Sequence, residues 1–98
     1  MAGTILSSGS FSATGVSPSF AVKGDFGLQI SGTFVGTVVL ERSLDDGANW
    51  IVPTAAGNQL YSFTAPASED LSAPEYGDLF RLHCTAYTSG TINFLAMQ

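Results

Sequence analysis

A chain of 98 residues is long enough for one domain, which at that size buries roughly two-thirds of the surface its unfolded form exposes, and too short for two. Three basic residues, Lys23, Arg42 and Arg81, against eight acidic ones give a net charge of -5, so nothing here matches a phosphate backbone or an anionic membrane surface. With 45% hydrophobic residues and only 11% charged, and no apolar run near the roughly 18–20 residues that span a bilayer, the chain reads as a soluble domain whose apolar surface partly meets another protein.

No stretch carries the apolar stripe of an amphipathic helix, and glycine or proline recurs at short intervals, so strands are expected to make the fold. Residues 1–20 mix Ser and Gly with Ile5, Leu6, Phe11, Val16 and Phe20 and read as an N-terminal arm or edge strands. Their start has neither a basic nor a long apolar segment and is not expected to be a secretory signal. Residues 21–98 read as the domain proper. Phe26, Leu28 and Ile30 alternate with Gly27, Gln29 and Ser31, the period-two pattern of a half-buried strand. After Gly32, the β-branched and aromatic run Thr33 to Ser43 predicts a strand that turns through Leu44 to Asn49 into Trp50-Ile51-Val52-Pro53, a hairpin.

Leu60 to Ala65 predicts another strand with Tyr61 and Phe63 on its buried side, and Pro66 to Gly77 reads as a polar, acidic loop. Leu79 to Tyr87 and Thr91 to Met97 flank Thr88-Ser89-Gly90, which predicts a closing hairpin. Phe80, Leu82, Cys84 and Ala86 share its inward face; Arg81, His83 and Thr85 share the other. About seven short strands with frequent turn signals predict an all-β fold, a small antiparallel β-sandwich of immunoglobulin-like or jelly-roll topology.

The most specific local motif is Ser43-Leu44-Asp45-Asp46-Gly47-Ala48-Asn49-Trp50. It resembles the Asp-box, Ser-x-Asp-x-Gly-x-Thr-Trp, of sialidase-like propellers and other β-proteins, departing from it at Asn49. Ser43 and Asp45 can bond turn amides, Gly47 can take a positive φ, and Trp50 can cover the hairpin's base. This is a structural hairpin, since such boxes lie away from sialidase catalytic centres and one copy cannot build a propeller. Asp45, Asp46 and Asn49 could together offer oxygens to calcium, but their spacing is not that of an EF-hand loop, and no metal site is expected.

His83 and Cys84 are neighbours in sequence and so point to opposite faces of a strand, which excludes a nucleophile–base pair. A single His and a single Cys also make neither a zinc site nor an internal disulfide. The run Glu69 to Asp78 holds four acids and reads as solvated. No catalytic constellation and no cofactor motif is present.

Ser31 to Ser43, the box through Trp50, and Leu79 to Thr91 together resemble small β-sandwich proteins encoded among the structural genes of tailed bacteriophages, over residues 24–97. The resemblance implies a virion component assembled in the host cytoplasm. The first reading is a capsid decoration (cement) protein on the capsid surface, a homo-oligomer that binds the major capsid protein through Ile5, Leu6, Phe11, Val16 and Phe20. The other is a receptor- or glycan-binding module of a tail or fibre, with Trp50, Tyr61, Tyr76 or Tyr87 as stacking platforms. Neither nucleic acid nor membrane is an expected partner.

Overall fold

The computed structural model describes residues 4–55, 58–59 and 61–98, with the backbone alone at 54–55, 58–59 and 72–78. The described residues contain strands and turns and no helix. In chain order the strands are β1 (Ile5–Phe11), β2 (Gly15–Val16), β3 (Phe20–Ser31), β4 (Phe34–Ser43), β5 (Thr54–Ala55), β6 (Asn58–Gln59), β7 (Ser62–Phe63), β8 (Ala67–Gly90) and β9 (Ile92–Met97). Seven of them form one antiparallel sheet in the order β1-β9-β3-β8-β4-β7, with β2 added along β8; β5 and β6 pair apart.

The long strand β8 explains how one sheet makes a sandwich. Its 24 residues would extend about 80 Å at about 3.3 Å per residue, whereas the longest dimension of the molecule is 38 Å. The strand therefore bends back, and the register shows where: Val22 faces Asp78, but Gly24 faces Ala73. Lys23 alone thus lies opposite residues 74–77, a wide bulge that breaks the ladder and redirects the strand. Before the bulge, β8 borders β3 in one layer with β9 and β1; beyond it, β8 lies between β4 and β2 in the other. The antiparallel β-sandwich is confirmed, with β8 passing from one layer to the other.

Between the layers lies one apolar core. Strand β3 alternates without interruption, sending Phe20, Val22, Phe26, Leu28 and Ile30 inward. Val38 and Leu40 of β4, Phe63, Leu71, Phe80, Leu82 and Cys84, and Ile92, Phe94 and Ala96 of β9 complete it. Phe20, Phe26 and Phe80 form an aromatic trio with centroids 5.3–6.3 Å apart, and Phe11 packs on Phe94 at 5.2 Å. Gly9 makes room for that pair, since a β-carbon there would stand 3.0 Å from the Phe94 ring.

Four expectations are corrected. Residues 67–73 form a strand paired to β3 rather than a loop, because Leu71 supplies a core contact while Glu69 and Asp70 remain exposed at the layer's edge. The segment around Gly90 does not close a hairpin: β9 pairs with β1 and β3, and the chain crosses between layers at Gly90 (φ 91°), where Thr91 N–H donates to Thr33 O at 3.1 Å. Ala86 is exposed, not inward, because the register jumps from Val38↔Cys84 to Thr37↔Ala86; Thr85 is the extra residue, and Tyr87 meets the core in its place. Finally, the strand around Phe63 is two residues long, cut short by Tyr61 at φ 56°, and Leu60 lies outside the described residues.

Within the first twenty residues, the described ones, 4–20, are part of the sheet rather than a separate arm. Strand β1 runs along the whole of β9, β2 lies on β8, and Phe11 and Phe20 are in the core. The link between β2 and β3 carries Pro18, which has no N–H to give to a ladder. Ser17 supplies what is needed there: its N–H donates to Leu82 O at 2.8 Å and its hydroxyl accepts from Leu82 N–H at 2.9 Å. Ser17 is 6% exposed.

Candidate functional site

Strand β4 ends at Ser43, and the turn that follows is built from the side chains of the Asp-box-like motif. The Ser43 hydroxyl donates to Asp45 Oδ1 at 2.8 Å and accepts from Gly47 N–H at 2.8 Å. Asp45 Oδ1 also accepts from Asn49 N–H at 2.9 Å, and Oδ2 from Asn49 Nδ2 at 2.6 Å. Asn49, the residue that departs from the motif, thus gives the carboxylate a second, side-chain donor. These donors, Asn49 foremost, hold the Asp45 carboxyl down to about 2, because hydrogen bonds to the charged form favour it. The turn itself needs positive φ at Asp46 (60°) and Gly47 (91°).

Trp50 closes the turn against Gly47, whose α-carbon faces the indole ring and Leu79. Beyond it Ile51 and Arg42 exchange both backbone hydrogen bonds, at 2.8 and 3.0 Å, so the expected hairpin forms over a single bridge. The outer face of the β4–β8 layer continues the polar cluster. The Arg81 guanidinium lies 4.5 Å from the Trp50 ring centroid, and its Nε donates to Glu41 Oε1 at 2.7 Å. His83 Nδ1 lies 3.2 Å from Glu41 Oε2. Burial works to raise the Glu41 pKa, but the hydrogen bonds and charges of Arg81 and His83 prevail and hold it below the usual value.

Sequence pattern puts Arg81 and His83 on the outward face but does not reveal this Trp50–Arg81–Glu41–His83 chain. Their partner on a strand 40 residues away requires the β4–β8 register, which pairs Glu41 with Arg81 and Val39 with His83. These contacts hold the Glu41–Arg81 charged pair in place. Cys84 points the other way, fully buried in the core, where burial pushes its thiol up and Sγ donates to Ala86 O at 3.4 Å. Among the described residues no three His, Cys, Asp or Glu side chains are placed to hold a metal ion.

Beside the hairpin lies a groove of about 410 Å³ lined by Arg42, Leu44, Asp45, Asn49, Ile51 and Pro53. Its apolar members Leu44 and Ile51 are 67% and 70% exposed. The five residues expected to contact a partner are divided by the structure. Ile5 and Val16 are exposed and Leu6 is half-buried, whereas Phe11 and Phe20 are occupied by the core and have no surface to offer. Of the aromatic platforms, Trp50 carries Arg81 over its ring, Tyr61 and Tyr87 pack against the core, and the Tyr87 hydroxyl donates to Gly90 O at 2.7 Å; the Tyr76 side chain lies outside the described residues. No protein-family model matches the chain, and no curated protein or solved structure is significantly similar to it.

Proposed function

We propose that this chain is a structural protein of a bacteriophage virion, a decoration protein that binds the major capsid protein and reinforces the shell. The observation that carries the reading is the pair Leu44 and Ile51, two large apolar side chains more than two-thirds exposed on a hairpin whose polar groups are already engaged with one another. A fixed turn that presents apolar surface binds a partner with little ordering cost, and large apolar groups left in water on an ordered frame mark an interaction surface. The low charge and the resemblance of residues 24–97 to phage β-sandwich proteins agree with it. The contact surface in this reading is the hairpin, with Ile5 and Val16, in place of a flexible arm.

The tail-fibre alternative has less support, since the described rings it would use are engaged, Trp50 under Arg81 and Tyr61 and Tyr87 against the core. Quantitative mass spectrometry of separated heads and tails of the purified phage particle tests the proposal. A copy number on the scale of the major capsid protein, confined to heads, is the expected result. A few copies confined to tails would move the chain to the fibre reading, and absence from both fractions would overturn the virion assignment.

A further inference from the structure

A folded sheet of this kind has four borders, and they differ in chemistry. In the β4–β8 layer the outermost strands β2 and β7 are two residues each, too short to template another strand. In the other layer one border is the 67–73 part of β8, where Glu69 and Asp70 stand exposed side by side. Charges on an edge strand oppose edge-to-edge pairing, and a chain of net charge -5 repels a second copy there.

The remaining border is β1. It is seven residues long and pairs with β9 on one side only. It contains no charged residue and no proline, and its middle, Ser7-Ser8-Gly9-Ser10, has small side chains. An antiparallel strand with one neighbour turns alternate N–H and C=O groups away from that neighbour, and β1 leaves these facing solvent among the described residues. Ile5, at the start of β1, is 59% exposed. A shift of register between Ile5 and Ser7 interrupts the start of the strand, but from Ser7 to Phe11 the ladder with β9 is regular, and among the described residues no charge, proline or covering loop blocks that stretch of edge.

We infer that β1 is a homodimerisation edge, pairing antiparallel with β1 of a second copy about a two-fold axis so that the two β1-β9-β3-β8 layers become one continuous sheet. The occupant follows from charge and size. An edge with neither charge nor pocket selects for backbone geometry alone, and a strand that matches it must be equally neutral and small. The second copy's β1 meets that requirement, with Ser set opposite Ser or Gly and hydroxyls able to bond across the pair. Because each β1 is used by the other, the association closes at two. Pairing through β1 takes place in solution and does not depend on binding to a capsid.

Light scattering coupled to gel filtration, on the full chain across a concentration series, reads the outcome. The expected species is a dimer with twice the 10.2 kDa chain mass. The double variant Ser8→Lys, Ser10→Lys places charge at two exposed positions of the edge, and its dissociation constant should rise at least about tenfold, a change of about 1.4 kcal/mol, with the far-ultraviolet circular dichroism unchanged. Amide hydrogen exchange on the unmodified chain gives a second readout that needs no variant: protection within 5–11 should grow with protein concentration while that of 67–73 stays constant. A chain that is monomeric at all concentrations, a trimer or larger, a dimer indifferent to the two lysines, or protection in 5–11 that ignores concentration would each overturn the inference.

Discussion

The crossing at Gly90 makes the sharpest quantitative prediction. A β-carbon placed there lies against Thr33 O and 2.7 Å from Phe34 Cα, and both are backbone atoms that no rotamer change can move aside. The residue also holds φ at 91°, where an L side chain is strained by about 1–2 kcal/mol. Relieving the overlap requires the two inter-layer crossings to separate, with overpacking of about 1–3 kcal/mol and loss of the Thr91–Thr33 hydrogen bond, worth about 0.5–1.5 kcal/mol. Gly90→Ala should therefore destabilise the domain by about 3–6 kcal/mol, a large share of the roughly 5–15 kcal/mol that holds a small domain. Gly24 is the matched control. It holds a φ of 78°, and a methyl group in place of its hydrogen would meet nothing within 4 Å among the described residues, so Gly24→Ala should lose only the strain, about 1–2 kcal/mol. In urea melts at a slope of about 1 kcal/mol per molar, the midpoint of Gly90→Ala should fall at least about 1.5 M further than that of Gly24→Ala. Equal midpoints would refute the argument, because they would mean that no close backbone approach exists at the crossing.

The hairpin and its neighbours supply three more predictions. Asp45 has a folded pKa pushed down from 3.8 to about 2, so its support for the turn is complete above about pH 4 and is lost as pH falls toward 2; Trp50 fluorescence should report that change and Asp45→Asn should abolish it, whereas an identical titration in the variant would exclude Asp45 as its source. Glu41→Gln removes the charge facing Arg81 and His83 and should lower stability by about 1–3 kcal/mol at neutral pH. Because the Glu41 pKa is depressed, that difference should shrink as pH falls through the carboxylate range, and a constant difference in melts at neutral and acid pH would contradict the pairing. Cys84 should resist a thiol reagent in the native state and react at a rate set by unfolding, since it is fully buried with a raised pKa; labelling at the rate of a free thiol would contradict its placement.

The elements legible in the sequence are those whose two faces meet different surroundings. Phe26, Leu28 and Ile30 alternate because β3 has the core on one side and solvent on the other, and β4 shows itself through its β-branched run. Turn chemistry is legible where side chains make the turn, as at Ser43, Asp45 and Gly47. The same chemistry misleads at Gly90, because a positive φ signals a change of direction without saying whether the next strand returns beside the last or joins the opposite layer. Alternation misleads at Ala86, since an unpaired Thr85 shifts the side chains that follow to the other face, and nothing about Thr85 itself marks it as extra. The edge at 67–73 resembles a loop in sequence because Glu69 and Asp70 obscure a strand with only one strongly apolar member, Leu71. The Glu41–Arg81 contact depends on register between distant strands, which local pattern does not encode.

Strand β8 belongs to both layers, and this bears on how the chain reaches and leaves its folded state. Neither layer can be completed before the polypeptide has been made through residue 90, and β3, which precedes β8, must wait for partners some 40 to 60 positions later. Contacts at such separation make folding slow for a domain of this size. In the reverse direction, releasing either end of β8 takes a strand from one layer and bares the core side chains it carries, Leu71 at one end and Phe80, Leu82 and Cys84 at the other.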